Sequence, residues 1–135
     1  MIRAGLVGAN GYAGRELIRL ILMHPEAELV AATVRDAGKR LDEIVPAFGK
    51  LTDIVCETFD ANALAQKCDV VFLALPGTES MELGAQLREA GVPVGVSMAP
   101  IIPAINDEEI PAILKAAFDA GAQFVGTTIV RLPHS

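Results

Sequence analysis

Gly8, Gly11 and Gly14 recur every third residue in LVGANGYAGRELIRLIL. They lie between a short apolar run and a segment of helical period, where a strand turns into a helix. Phosphate loops have this placement. The first glycine permits a tight turn out of the strand, the second lets a pyrophosphate approach the backbone, and the third lets the helix pack closely on the sheet. Free N–H groups and the helix dipole then favour an anion at the helix N-terminus. Gly8, Asn10, Gly11, Tyr12, Ala13 and Gly14 are therefore the candidates to hold a dinucleotide pyrophosphate. A glycine triplet alone also marks ordinary βα turns; the position inside a βαβ unit carries the argument.

The end of the second strand bears on which dinucleotide. It reads Thr33-Val34-Arg35-Asp36, followed by Gly38-Lys39-Arg40. Arg35, with Lys39 or Arg40 nearby, suits a 2′-phosphate because guanidinium groups match phosphate oxygens. This favours NADP. Asp36 suits a ribose 2′-hydroxyl and keeps NAD open. The turn Leu75-Pro76-Gly77 would border the nicotinamide side of the same crevice.

Other reactive side chains do not assemble into a catalytic set. Cys56 and Cys68 read as buried structural thiols, one in a weak strand and one just before a strong one. His24 ends a helix and His134 lies in the tail, so both read as surface residues. No metal-ligand spacing is present, and no catalytic residue is assigned.

The elements that must position this chemistry alternate from end to end. Strands are expected at 2–7, 28–34, 53–59, 69–75, 92–96 and 123–131. Helices are expected at 14–23, 41–45, 60–66 and 79–90, with another capped by Asn106 or Asp107. Asp60 reads as the N-cap of the third, and Pro111 must sit in the first turn of the last. On the first helix, Leu17, Leu20 and Ile21 share a face; on the last, Ile110, Ile113, Leu114, Ala117 and Phe118 do. DVVFLAL suits a strand buried on both faces. The alternation predicts one α/β domain over 1–135: a doubly wound, Rossmann-like parallel sheet of about six strands ordered 3-2-1-4-5-6, with helices on both faces.

The 135 residues are 52% hydrophobic and 21% charged, which is globular composition. The net charge of −6 argues against a nucleic-acid surface, which needs a basic patch. No apolar run reaches membrane-span length, and the N-terminus lacks a signal-peptide pattern, so a cytoplasmic setting is expected.

The stretch from GANGYAGREL through DVVFLALPGTESMEL resembles the N-terminal region of N-acetyl-γ-glutamyl-phosphate reductases. Gly8, Gly11, Tyr12, Gly14, Glu16 and Leu17 match that family's loop. Arg35, Gly38 and Lys39 match its basic segment, and Pro76 and Ser80 its Leu-Pro segment. The resemblance covers about the first 90 residues and implies an NADP-binding domain from arginine biosynthesis. Gly77 stands where the family usually has His. The family's catalytic domain and its Asn-Pro-Gly-Cys-Tyr-Pro nucleophile motif are not in these residues, so the chain is expected to bind nucleotide without turning over alone.

Beyond Gly91, GVPVGVSMAPIIPAINDEEIPAILKAAF instead resembles a barrel segment of a radical S-adenosylmethionine family, with Ala104 replacing a patterned Gly. The cysteine cluster of that family is absent, so no iron–sulfur cluster is expected. The chain thus reads as a chimera of a 1–90 nucleotide-binding part and a 91–135 strand-helix-strand part, with a seam near Leu87 to Pro93. Natural recombination or deliberate fusion would give it, and fusion is favoured. The alternative function is a folded scaffold with no retained ligand. A homodimer through an uncovered apolar surface is the partner state such a piece would adopt.

Overall fold

The computed structural model describes residues 1–49 and 51–129. The chain divides into two compact units, Met1–Ala90 and Gly91–Ser135, and each contains its own parallel sheet.

The first unit runs β1 (Ile2–Val7), α1 (Tyr12–Met23), β2 (Ala27–Thr33), α2 (Leu41–Ile44), α3 (Ala61–Lys67), β3 (Val70–Leu73) and α4 (Gly77–Glu89). Its sheet is ordered β2-β1-β3, all parallel. In register, Leu6 stands between Ala32 and Phe72. The middle strand is the most enclosed, with Ala4 through Val7 buried. The core gathers on it: Leu6 and Ile18 are fully covered, with Leu29, Leu41, Val45 and Phe48 in the same cluster. Each such side chain contributes about 1.5–3 kcal/mol by leaving water.

Three local expectations shift. The buried face of α1 is Gly14, Ile18 and Ile21, an i, i+4, i+7 stripe, while Leu20 is half exposed. The segment 53–59 is not a strand. It touches β2 through one parallel bridge, Thr33 to Glu57, and the turn after β2 through one antiparallel bridge, Arg40 to Val55. Charged residues interrupt its pattern, but the bridge still puts it beside β2, where the expected order has the third strand. Finally, β3 is only partly buried and Phe72 is 37% exposed, because within this sheet β3 pairs on one side alone.

Asp60 caps α3 as expected, accepting from the Ala63 N–H at 2.9 Å. At the sheet's N-terminal edge, Arg3 donates to Asp69 from its backbone N–H and from its guanidinium, at 2.8–3.2 Å. The Arg3 side-chain hydrogen bonds are the main cause that lowers the Asp69 carboxyl from 3.8 to about 2. A group depressed in the folded state stabilises above its unfolded pKa and stops doing so as pH falls through the folded one. The contribution is therefore present above pH 3.8 and lost towards pH 2. Asp69→Asn should flatten the fall in Tm across that window. Identical acid limbs in the two proteins would contradict this role.

The second unit contains β4 (Gly95–Ile101), a 3₁₀ turn at Asp107–Glu109, α5 (Ile110–Asp119) and β5 (Phe124–Ile129), with β4 and β5 parallel. Strand β4 starts later than expected and runs into the proline-containing stretch. Its register slips between Met98 and Ile101, across Pro100, which has no N–H to give the ladder. Ala104 has φ +62, the left-handed region that favours glycine. The apolar face of α5 is mostly uncovered: Ala117 is buried, while Ile113, Leu114 and Phe118 are exposed. The last two positions of the expected sixth strand, 130 and 131, and His134 lie outside the described residues.

Candidate functional site

The glycine turn leaves β1 at its C-terminal end and is tied to the neighbouring strands by backbone hydrogen bonds. The Gly8 and Ala9 N–H groups both donate to the Thr33 carbonyl, at 3.1 and 3.2 Å, and the Ala74 N–H donates to the Val7 carbonyl at 2.8 Å. The ends of β1, β2 and β3 are thereby fixed around one cleft of about 420 Å³. Its lining comes from Gly8, Asn10 and Gly11, from the end of β2 through Arg35, and from Ala74, Leu75 and Pro76. Thr58 and Phe59 close one side, and Glu79 and Leu83 of α4 another.

The three glycines have different jobs. Gly8 has φ +92, and a Cβ there would lie 2.5 Å from the Ala74 carbonyl oxygen. A Cβ on Gly14 would lie 2.1 Å from the Gly8 oxygen, so the helix sits directly on the turn. Gly11 is unlike both. A Cβ there would meet only the Gly8 and Ala74 oxygens, at 3.8 and 3.9 Å, which is ordinary contact. Those two residues line the cleft, so the missing side chain leaves room in the cleft and not in the protein interior. Gly11 is also the N-cap of α1, with no side-chain cap and no acidic residue in the first turn. By contrast, Asp60 caps α3. An anion in the cleft would find the α1 N-terminus open to it.

Of the residues expected to hold cofactor, Gly8, Asn10, Gly11, Arg35, Leu75 and Pro76 line the cleft. Tyr12, Ala13, Gly14, Lys39 and Gly77 do not. Tyr12 is 94% exposed, Gly14 is buried beneath the turn, and Lys39 and Gly77 are exposed. The basic cluster is also divided. Arg40 donates to Asp42 at 2.9 and 3.0 Å and pairs with Asp53 at 3.0 Å. Its pKa is raised and that of Asp42 lowered, chiefly by their hydrogen bonds. Arg40 thus pins the start of α2, where its N–H also donates to Glu43, and it does not line the cleft.

Glu79 was not legible as a cleft residue. It lies in the first turn of α4, and its carboxylate accepts from the Arg35 guanidinium at 2.5 Å. The partners are 44 residues apart, beyond any spacing rule. Ser80 braces the neighbouring turn, its hydroxyl donating to the Leu75 carbonyl at 3.0 Å. Cys56 is buried in the core, and burial raises its thiol pKa. Cys68 ends α3, packed so close to Gly5 that a Cβ there would come 2.6 Å from its sulfur; burial raises its pKa as well. His24 is exposed at the end of α1, its Nδ1 accepting from the Glu26 N–H. Among the described residues no group of three or more His, Cys, Asp or Glu could hold a metal ion, and no helix is long and apolar enough to cross a membrane.

Parallel strands ending in one crevice, with a glycine turn leading into an uncapped helix, define a Rossmann-like nucleotide-binding domain. Residues 3–112 match the family model of the semialdehyde dehydrogenase NAD-binding domain, and the chain belongs to that family. Among curated proteins it is similar to the N-acetyl-γ-glutamyl-phosphate reductase of Desulforapulum autotrophicum, at 46% identity over 95 residues, 70% of this chain and 28% of that protein. The reductase of Salinispora tropica is 54% identical over 87 residues, 64% of this chain and 26% of that one. The chain thus spans little more than a quarter of the length of these relatives. Among solved structures, aspartate semialdehyde dehydrogenase with NADP from Candida albicans is similar at TM-score 0.63 and 25% identity, covering 94% of this chain and 42% of that one. The family match crosses the expected seam between Leu87 and Pro93 and continues to residue 112.

Proposed function

We propose that this chain is the NADP(H)-binding part of a reductase of the N-acetyl-γ-glutamyl-phosphate type. Gly11 carries the reading: it is the glycine whose missing side chain leaves space in the cleft, at the uncapped start of α1. The pyrophosphate would rest on the Gly8–Gly14 turn, where Gly8, Asn10 and Gly11 line the cleft. Arg35 would take the 2′-phosphate, with Lys39 as a second cation on the same turn. Leu75 and Pro76, held by Ser80, would border the nicotinamide side. Bound NADPH supplies a hydride; the residues here bind and orient the cofactor. The substrate and the thiol that would carry it are not assigned to this chain, because both cysteines serve packing.

Arg35→Ala tests the cofactor choice. Loss of a charge-assisted phosphate contact should weaken NADP about tenfold to a hundredfold, with NAD changed far less. Equal affinities for the two nucleotides, in wild type and variant alike, would refute the 2′-phosphate assignment.

A further inference from the structure

We propose that Glu79 sets how strongly the cleft discriminates NADP from NAD, by holding the Arg35 guanidinium until a 2′-phosphate displaces it. The inference rests on the nucleotide-binding reading above and names a residue which that reading does not use. Arg35 follows β2, Glu79 lies in the first turn of α4, and both line the cleft. The contact is a single one, from a terminal guanidinium nitrogen to one carboxylate oxygen at 2.5 Å. Arg35 is 83% exposed and Glu79 38% exposed, so the pair stands in solvent at the cleft's rim.

Carboxylate and phosphate oxygens compete for the same planar fork of donors. An exposed ion pair is held weakly, so a dianionic phosphate can displace the carboxylate. Displacement breaks the Arg35–Glu79 contact, and that loss opposes NADP binding. The N-terminal dipole of α4 attracts a carboxylate, which helps hold Glu79 in this position. NAD lacks the 2′-phosphate and leaves the pair intact. Glu79 therefore weakens NADP selectively: it is a specificity-determining residue that acts through Arg35.

The test is calorimetric titration of NADP and NAD into wild type, Glu79→Gln, Arg35→Ala and the double variant. Glutamine keeps the shape and removes the charge. Glu79→Gln should tighten NADP about threefold to fivefold, since an exposed charge contact is worth at most about a fivefold change, and leave NAD within about twofold. In the Arg35→Ala background the same substitution should lose most of that gain. If wild type prefers NADP but Glu79→Gln leaves its affinity unchanged or lowers it, Glu79 is no such determinant, and the nucleotide reading survives. Should wild type and all variants bind neither nucleotide, both the reading and this inference fall.

Discussion

In a Gly11→Val variant, NADP affinity should fall by about a hundredfold or more, a loss of about 3 kcal/mol, while the far-UV circular dichroism spectrum and Tm stay close to wild type. Gly11 has φ −77 and ψ 167, an extended conformation that valine adopts readily. A Cβ there meets no protein atom closer than 3.8 Å, so the fold tolerates it. The valine methyls would instead project among Gly8 and Ala74, where the pyrophosphate must touch backbone. Unchanged NADP affinity in a folded Gly11→Val protein would mean that the loop is only a turn.

Gly14→Ala is expected to do the reverse, damaging the fold before any ligand is considered. Its Cβ would sit 2.1 Å from the Gly8 carbonyl oxygen and 3.2 Å from the Ala9 Cα. These are backbone atoms of a turn pinned to Thr33, so they cannot rotate aside as a side-chain end would. The helix must lift from the sheet, loosening Ile18 and Ile21 in the core. Overpacking of this kind costs about 3 kcal/mol, a large part of the stability of a small domain. Tm should drop by more than about 10 °C in a thermal melt. A variant that melts with wild type would show that α1 is not seated on the turn. Two glycines three residues apart thus separate cleanly, one serving a ligand and the other the packing.

The difference between them could not be read from their spacing. The triplet marks where a phosphate loop falls, but which glycine faces solvent space depends on how Ala74 and Thr33 close around it. Local chemistry was legible: the Asp60 cap, the helix break at Pro25 and the Leu-Pro turn after β3 each follow from neighbours in sequence. What depends on distant chain was not. Ile18, not Leu20, is buried because the phase of the α1 stripe is set by where the sheet lies beneath it. Arg35 and Arg40 look equivalent in sequence, yet one reaches the cleft and the other is taken by Asp42 and Asp53. Segment 53–59 has a strand's residues only in part, and its pairing reduces to single bridges. Glu79 illustrates the general limit. A carboxylate in a first helical turn has an adequate local explanation, so nothing prompts a search for its partner 44 residues away.

NADP is the proposed occupant of the cleft at the ends of β1, β2 and β3. The most direct test is isothermal titration of the purified wild-type protein with NADP and then NAD at low ionic strength, alongside a thermal melt. Saturable NADP binding with one site per chain, tighter than NAD, is the expected result. No heat of binding from either nucleotide, in a protein that melts cooperatively, would contradict it.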